Sequence, residues 1–256
     1  MGDLVAVRLD GDVAIVTLER PGKLNALSTA LEADLDAALR SSSVARARAV
    51  VVAGAGRAFS AGADVQQMRD QTPEDVLAAY RATGEVYERV AGLQMPTIAA
   101  IHGYCLGGGF ELALACDLRV ADATAVFGLP EVALGIVPSS GGLHRLVRSV
   151  GPARARELVL LRGRFGAEEA ERAGLVTEVV PEGTALTRAA EMARELARLP
   201  PVAVEVAKRA IDAAATADRD AALLIERLAY AALAQTAEHR RATTEFVERR
   251  ERPTGR

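Results

Sequence analysis

Short apolar runs of strand length alternate along the chain with longer segments of helical period. The strand-like runs occupy residues 5–9, 13–18, 49–53, 98–101 and 118–121. The Asp10-Gly11 pair between the first two runs predicts a tight hairpin. A leucine at every fourth position predicts a helix over residues 25–40, with Thr29 and Glu32 spaced as a capping box. This alternation of strands and helices favours an α/β fold with crossover connections.

A change of pattern near residue 199 predicts two regions in the chain. The segment Leu199-Pro200-Pro201 ends the alternation, and residues 202–215 and 220–234 beyond it are alanine-rich and amphipathic. We therefore expect an α/β core over residues 1–198 and a helical region over residues 199–256.

Charge and cysteine content argue against several classes of protein. The 256 residues carry 31 basic and 34 acidic side chains, a net charge of −3, so we expect no nucleic-acid and no membrane partner. The two cysteines, Cys105 and Cys116, have no disulfide or metal-site pattern. Charged residues at Asp3, Arg8 and Asp10 interrupt the first apolar stretch, so we expect no signal peptide and a cytoplasmic protein.

Motifs for common cofactors and nucleophiles are missing from the sequence. It has no Gly-x-Gly-x-x-Gly after a strand, no phosphate-binding Walker loop and no Gly-x-Ser-x-Gly turn. The three histidines, His102, His144 and His239, are not spaced as a zinc pair. We expect no metal site.

Two glycine-containing loops are the first candidates for chemistry. One runs from Arg57 to Asp64, and the other leads from an apolar strand through Gly107-Gly108-Gly109 into a short helix. Glycines permit close approach of backbone N–H groups, and a helix start favours negative charge. Together the loops could form an anion hole from two separate amides, although such glycines can also serve tight turns alone.

Two glutamates stand among apolar neighbours. Glu111 follows the glycines in Phe110-Glu-Leu-Ala-Leu, and Glu131 lies in Gly128-Leu-Pro-Glu-Val. A buried carboxylate is costly without a partner or a function. Two of them facing one site would have separated pKa values, so that one could act as an acid and the other as a base.

These residues also carry a family resemblance. The chain resembles the crotonase superfamily, and enoyl-CoA hydratases in particular. The main matching segments are 59–64, 101–111, 116–117 and 127–135, and the supporting ones are 20–21, 24–27, 141–142, 145–146, 151, 173–176 and 246–250. The resemblance covers about residues 13–250. It implies an α/β fold of ββα units wound as a spiral, with a C-terminal helical region that forms trimers or hexamers.

The resemblance also implies roles for individual residues. The N–H groups of Ala61 and Gly108 would form an oxyanion hole for the thioester carbonyl, and Glu111 and Glu131 would hold the reacting water. The residues expected to contact substrate or its CoA moiety are Lys23, Leu24, Ala61, Gly62, Ala63, Asp64 and Gly108. The implied reaction is the reversible addition of water to a 2-enoyl-CoA, with an acyl-CoA substrate and no separate cofactor.

Departures from the family pattern leave the acyl group and reaction subtype open. Ser139-Ser140 replaces a common Gly-Ala, and His144 replaces a common glutamine; both changes are expected near the catalytic water. The acyl pocket is expected to draw on residues 65–90. A Δ3,Δ2-enoyl-CoA isomerase, which needs one carboxylate, is an alternative, and an RNA-binding protein on the same scaffold is a non-enzymatic one.

Overall fold

Ten strands form two sheets within residues 2–69 and 72–251, the part of the chain that the computed structural model describes. They are β1 Val5–Asp10, β2 Val13–Leu18, β3 Ala49–Gly54, β4 Ala58–Ser60, β5 Thr97–Ile101, β6 Tyr104–Leu106, β7 Leu118–Asp122, β8 Val126–Gly128, β9 Phe165–Gly166 and β10 Glu178–Val180. The larger sheet has the order β1-β2-β3-β5-β7-β10, and the smaller has the order β4-β6-β8-β9. The hairpin predicted at Asp10-Gly11 is confirmed, since β1 and β2 pair antiparallel with Asp10 opposite Val13.

Helices connect these strands and form the C-terminal part of the chain. They are α1 Thr29–Leu39, α2 Ser42–Arg46, α3 Val65–Met68, α4 Pro73–Ala91, α5 Gly108–Ala115, α6 Gly142–Glu157, α7 Ala167–Arg172, α8 Ala185–Ala197, α9 Pro201–Ala214, α10 Arg219–Leu233 and α11 Ala237–Glu251. Two 3₁₀ segments, Pro21–Lys23 and Pro130–Leu134, and a π-helical turn, Leu158–Arg162, complete the list.

The same unit recurs three times in the core. A strand of the larger sheet, a strand of the smaller sheet and one or more helices follow one another as β3-β4-α3-α4, β5-β6-α5 and β7-β8-α6. Neighbouring strands of successive units pair in parallel in both sheets. This is the spiral of ββα units that the resemblance implies, and that prediction is confirmed.

The larger sheet separates two apolar layers. Side chains alternate along β3, so that Val50 and Val52 belong to the cluster that also contains α1 and α5 residues. Val51, with Ala49 and Ala53 on the same face of β3, belongs to a second cluster with α8. Ala189 and Ala193 of α8 are small and fully buried there, which lets the helix lie close to the sheet. Most of the core thus lies between the sheets, where the glycine loops also begin.

The first long helix starts later than the sequence predicts. α1 begins at Thr29, and its cap is Ser28, whose side chain accepts a hydrogen bond from Leu31 N–H at 3.2 Å. The predicted capping box of Thr29 and Glu32 is therefore wrong. Asn25 has a left-handed backbone with φ of 53°, and its side-chain amide donates to the carbonyl oxygens of Ala55 and Ala58 at 2.8 Å. It belongs to the loop that precedes the helix.

The chain divides into two compact units, Met1–Ala197 and Arg198–Arg256. The second contains α9, α10 and α11, and the helices predicted over residues 202–215 and 220–234 are confirmed as α9 and α10. These two helices contact each other, and neither has a buried residue.

Among the described residues, no helix has both the length and the apolar character needed to cross a bilayer.

Candidate active site

A cavity of about 160 Å³ lies in the first unit, beside the two glycine loops. Its wall combines apolar side chains with backbone from both loops. The residues of the wall that carry polar or backbone chemistry are Ala61, Gly62, Ala63, Asp64, Gly107, Gly108, Glu111, Glu131, Ser139 and Ser140, with Thr29, Glu32, Gln67 and Tyr87. Both predicted glutamates therefore face one space, although they lie 20 positions apart in the sequence.

Glu111 reaches the cavity because of how the second glycine loop turns. Gly107 has φ of 50° and ψ of −128°, a conformation that disfavours residues with a Cβ. This turn directs β6 into α5, which begins at Gly108 and carries Glu111 in its first turn. The side chain is buried, with the residue 3% exposed. One carboxylate oxygen, Oε1, accepts hydrogen bonds from the N–H groups of Ser140 at 2.8 Å and Gly142 at 3.0 Å.

The turn at residues 139–142 closes around this carboxylate. A Cβ built on Gly142 would lie 2.4 Å from Cγ of Glu111, so only glycine fits at this position. Ser139 and Ser140, predicted near the catalytic water, both line the cavity. His144 differs from the prediction: it is exposed on α6 and is not among the described residues of the cavity wall.

Glu131 lies across the cavity with fewer partners. It belongs to the 3₁₀ segment Pro130–Leu134 and is 8% exposed. Its Oε1 lies 3.1 Å from the position that a Cβ on Gly107 would occupy. Its Oε2 is buried and has no hydrogen-bond partner within the described ranges. An unpaired buried carboxyl oxygen favours the protonated form.

The two carboxyl groups differ in their electrostatic environment. The pKa of Glu131 is raised from its ordinary 4.5 to about 7, chiefly by burial and to a smaller extent by the charge of Glu111, while a hydrogen bond from its own backbone N–H opposes the rise. Burial also raises the pKa of Glu111, while the N–H groups of Ser140 and Gly142 and the charge of Arg145 oppose that rise. Hydrogen bonds thus favour an ionised Glu111, and Glu131 lacks comparable support.

The structure changes the assignment of one predicted anion-hole donor. The N–H of Ala61 donates to the carbonyl oxygen of Leu24 at 2.9 Å, so the prediction for Ala61 is wrong. Ala63, two residues on, is exposed to the cavity, and its N–H has no acceptor in the part of the chain that the structure describes. Its nitrogen lies 3.8 Å from the position of a Cβ on Gly108. Gly108 begins α5, where N–H groups lack helical acceptors.

The residues expected to bind CoA lie partly elsewhere. Gly62, Ala63 and Asp64 line the cavity, whereas Lys23 and Leu24 are not among the described residues of its wall. The carboxylate of Asp64 bonds Arg20 at 2.7 Å, and this bond and the nearby charge of Lys23 lower its pKa. The ion pair with Arg20 therefore gives the Asp64 side chain a structural role in the loop. Lys23 lies close to this carboxylate.

Tyr87 lies within the segment predicted to supply the acyl pocket, although the sequence alone does not single it out. It lies on α4, is 2% exposed and lines the cavity, and its hydroxyl oxygen lies 3.1 Å from the position of a Cβ on Gly108. Burial raises the pKa of its phenol, and the charges of Glu32, Glu111 and Glu131 raise it further, so the hydroxyl stays protonated. Segment 65–90, predicted to supply an acyl pocket, also contributes Val65, Gln67 and Val76 to the wall.

Comparison with known proteins gives the family. The family model described as enoyl-CoA hydratase/isomerase matches residues 8–254. The chain belongs to this family.

In the part of the chain that the structure describes, no three His, Cys, Asp or Glu side chains cluster in a way that could hold a metal ion.

Named relatives of the family cover nearly the whole chain. A short-chain-enoyl-CoA hydratase of Clostridium acetobutylicum is 37% identical over 248 residues, 96% of this chain and 95% of that protein. A 2,3-dehydroadipyl-CoA hydratase of Escherichia coli is 37% identical over 255 residues, 98% and 97% of the two chains. The solved enoyl-CoA hydratase of Bacillus anthracis superposes with a TM-score of 0.91 at 36% identity, covering 96% and 97% of the two chains.

Proposed function

We propose that this chain catalyses the reversible addition of water to a 2-enoyl-CoA, giving a 3-hydroxyacyl-CoA. The observation that carries the proposal is the pair of buried glutamates. Glu111 and Glu131 face one cavity with different hydrogen-bonding environments, beside the N–H groups of Ala63 and Gly108, for which the described chain provides no acceptor. Family membership supports an acyl-CoA substrate.

The two amides act on the thioester. The N–H groups of Ala63 and Gly108 donate to the carbonyl oxygen and draw electron density from the conjugated double bond. This makes C3 electrophilic and stabilises the enolate that forms when C3 is attacked. One such donor typically contributes about 2.7–4 kcal/mol of transition-state stabilisation.

Glu111 acts as the base. Its carboxylate takes one proton from a water molecule while the water oxygen forms a bond to C3. The π electrons of the C2–C3 bond move toward C2 and the thioester carbonyl, giving the enolate. The hydrogen bonds from Ser140 and Gly142 hold Oε1 of Glu111 and fix the orientation of the carboxylate in the cavity.

Glu131 acts as the acid. A pKa of about 7 keeps much of this carboxyl group protonated near neutral pH, and its proton passes to C2 as the enolate collapses. Water has then been added across the double bond, Glu111 holds a proton and Glu131 has lost one. Proton exchange with solvent restores both groups, and dehydration follows the same steps in reverse.

The second unit supports a proposal about assembly. Ile211, Leu228 and Tyr230 are 69%, 61% and 72% exposed in the described chain. Apolar surface of this kind is typical of contact between subunits. We propose a homotrimer or a dimer of trimers. Sedimentation of a stable monomer at micromolar concentration would contradict this assembly.

We also propose that the chain has no nucleic-acid or membrane partner. A cytoplasmic location would keep its two free cysteines reduced.

Isotope transfer tests the reaction. We expect the purified chain to convert a 2-enoyl-CoA in H₂¹⁸O to a 3-hydroxyacyl-CoA with one ¹⁸O at C3, with loss of the enone absorbance. A parallel incubation uses the corresponding 3-enoyl-CoA. Conversion of the 3-enoyl to the 2-enoyl isomer without ¹⁸O incorporation from either substrate would replace the proposal with the isomerase alternative.

A further inference from the structure

Arg145 links the turn around Glu111 to a second helix. Its Nη1 donates to the carbonyl oxygen of Ser140 at 3.0 Å, and its Nη2 bonds Oε1 of Glu88 on α4 at 2.5 Å. The Arg145 side chain is 15% exposed, whereas that of Glu88 is 69% exposed. The guanidinium therefore lies under the turn, with one carboxylate at its outer edge.

The same turn holds the carboxylate of Glu111. Ser140 presents its N–H to Glu111 and its carbonyl oxygen to Arg145, so one residue connects the two side chains. A rigid guanidinium fork can fix such a carbonyl group, because its donors lie in one plane. We propose that Arg145 is a positioning residue for Glu111, orienting its carboxylate toward the reacting water through the Ser140 turn and keeping it ionised by charge.

The groups that face Glu111 determine the direction of the electrostatic effect. Arg145 approaches from α6 with positive charge, Glu131 from the 3₁₀ segment with a titrating carboxyl group, and Tyr87 from α4 with a neutral phenol. Glu88 forms an ion pair with Arg145 and is largely exposed to solvent. The charge of Arg145 lowers the pKa of Glu111, so its removal must raise that pKa and increase the protonated fraction at a given pH.

This inference rests on the proposed hydration, and kinetics of four variants test it. In Arg145→Gln we expect kcat to fall by up to about a hundredfold, the typical cost of a misplacement of about 1 Å. KM should change little, since the thioester is held by Ala63 and Gly108. The acid limb of the pH profile should move to higher pH, because the base must be ionised. Arg156→Gln, an exposed arginine in the part of α6 beyond the break at Gly151, is the matched control.

The remaining variants separate charge from geometry. Arg145→Lys keeps the charge but loses the fork, so it should restore the acid limb while kcat recovers only in part. Glu88→Gln removes a negative charge, so its acid limb should lie at or below the wild-type position, and kcat should fall by less than about fivefold. Loss of kcat in Arg145→Gln and Arg145→Lys with the acid limb unmoved in both would overturn the proposal, as would a wild-type kcat and profile in Arg145→Gln.

A titration that needs no turnover separates this inference from the proposed function. Carboxyl ¹³C NMR of glutamate-labelled protein, assigned with Glu111→Gln, reports the pKa of Glu111 directly. We expect a higher value in folded Arg145→Gln than in wild type. An equal value would overturn the inference even if hydration proceeds. A wild type without hydratase activity would overturn the proposed function, while the NMR shift would still decide the link between Arg145 and Glu111.

Discussion

The backbone nitrogen of Ala63 lies 3.8 Å from the position that a Cβ on Gly108 would occupy, so two separate loops bring their amides to one wall of the cavity. Ala61, two residues earlier, turns its N–H away to the carbonyl oxygen of Leu24. In the proposed mechanism, the anion-binding role and the structural role of this loop thus belong to different residues.

Replacement of single amides by esters tests this division. Lactic acid in place of Ala63 removes the N–H and keeps the methyl group. We expect kcat to fall by about 100- to 1,000-fold, the usual effect of losing one oxyanion-hole donor. The same replacement at Ala61 should lower thermal stability instead and lower kcat much less. An equal loss of kcat at both positions, or a larger loss at Ala61, would contradict the assignment.

A second prediction concerns the space around Gly108. A Cβ there would lie 3.1 Å from the hydroxyl oxygen of Tyr87 and 3.2 Å from Cδ1 of Leu27, which is closer than side chains usually approach. Gly108→Ala should therefore displace the amide and lower kcat/KM by up to about a hundredfold. Tyr87→Phe removes the nearest atom, so the double variant should recover part of the loss. A double variant no faster than Gly108→Ala would show that Tyr87 does not limit this space.

Glu131 should make stability depend on pH. Its pKa is about 7 in the folded chain against an ordinary value of 4.5, so the folded chain binds the proton more tightly than the unfolded chain. The free energy of unfolding therefore falls as pH rises from about 4.5 to about 7 through this group. Thermal unfolding should show Glu131→Gln to be more stabilising relative to wild type at pH 8 than at pH 5. The opposite order would mean that the carboxylate is paired in the folded chain.

Pattern alone predicts much of the fold and both glutamates. Strand runs and the 199–201 boundary depend on local sequence, and Glu111 and Glu131 are noticeable because they interrupt apolar segments. The sequence does not show which backbone N–H of the loop already donates to another part of the chain. The N–H of Ala61 donates to the carbonyl oxygen of Leu24, 37 positions away. Within a loop of small residues, Ala61 and Ala63 are equivalent until that partner is known.

The sequence pattern does not identify Tyr87 and Arg145 as residues that support the site, for a similar reason. Tyr87 lies in a polar helical pattern, and only the packing of α4 against α5 brings its hydroxyl to Gly108. Arg145 stands in a motif of the family resemblance, but its bonds to Ser140 and Glu88 join three segments. The Gly141-Gly142 pair was the available signal, because tight glycine turns often surround a charged group.

The proposed steps need only proton transfer and two hydrogen-bond donors. We therefore expect hydration to proceed at an unchanged rate after dialysis against EDTA and desalting. Enzyme diluted into buffer of the same ionic strength without chelator is the control. Activity that falls after chelation and returns with a divalent cation would indicate a required metal and would contradict this part of the proposal.

The central claim is that Glu111 and Glu131 act together in one addition, Glu111 as the base toward water and Glu131 as the acid toward C2. Rates of 2-enoyl-CoA hydration in Glu111→Gln, Glu131→Gln and the double variant test it most directly, with binding of a saturated acyl-CoA as the check on folding and substrate affinity. We predict that each single variant loses at least about a hundredfold in kcat, the lower range for a missing acid or base. The double variant should lose far less than the product of the two effects, because the groups work as a unit. A single variant that binds the saturated acyl-CoA and hydrates the 2-enoyl-CoA at a near-normal rate would contradict the account.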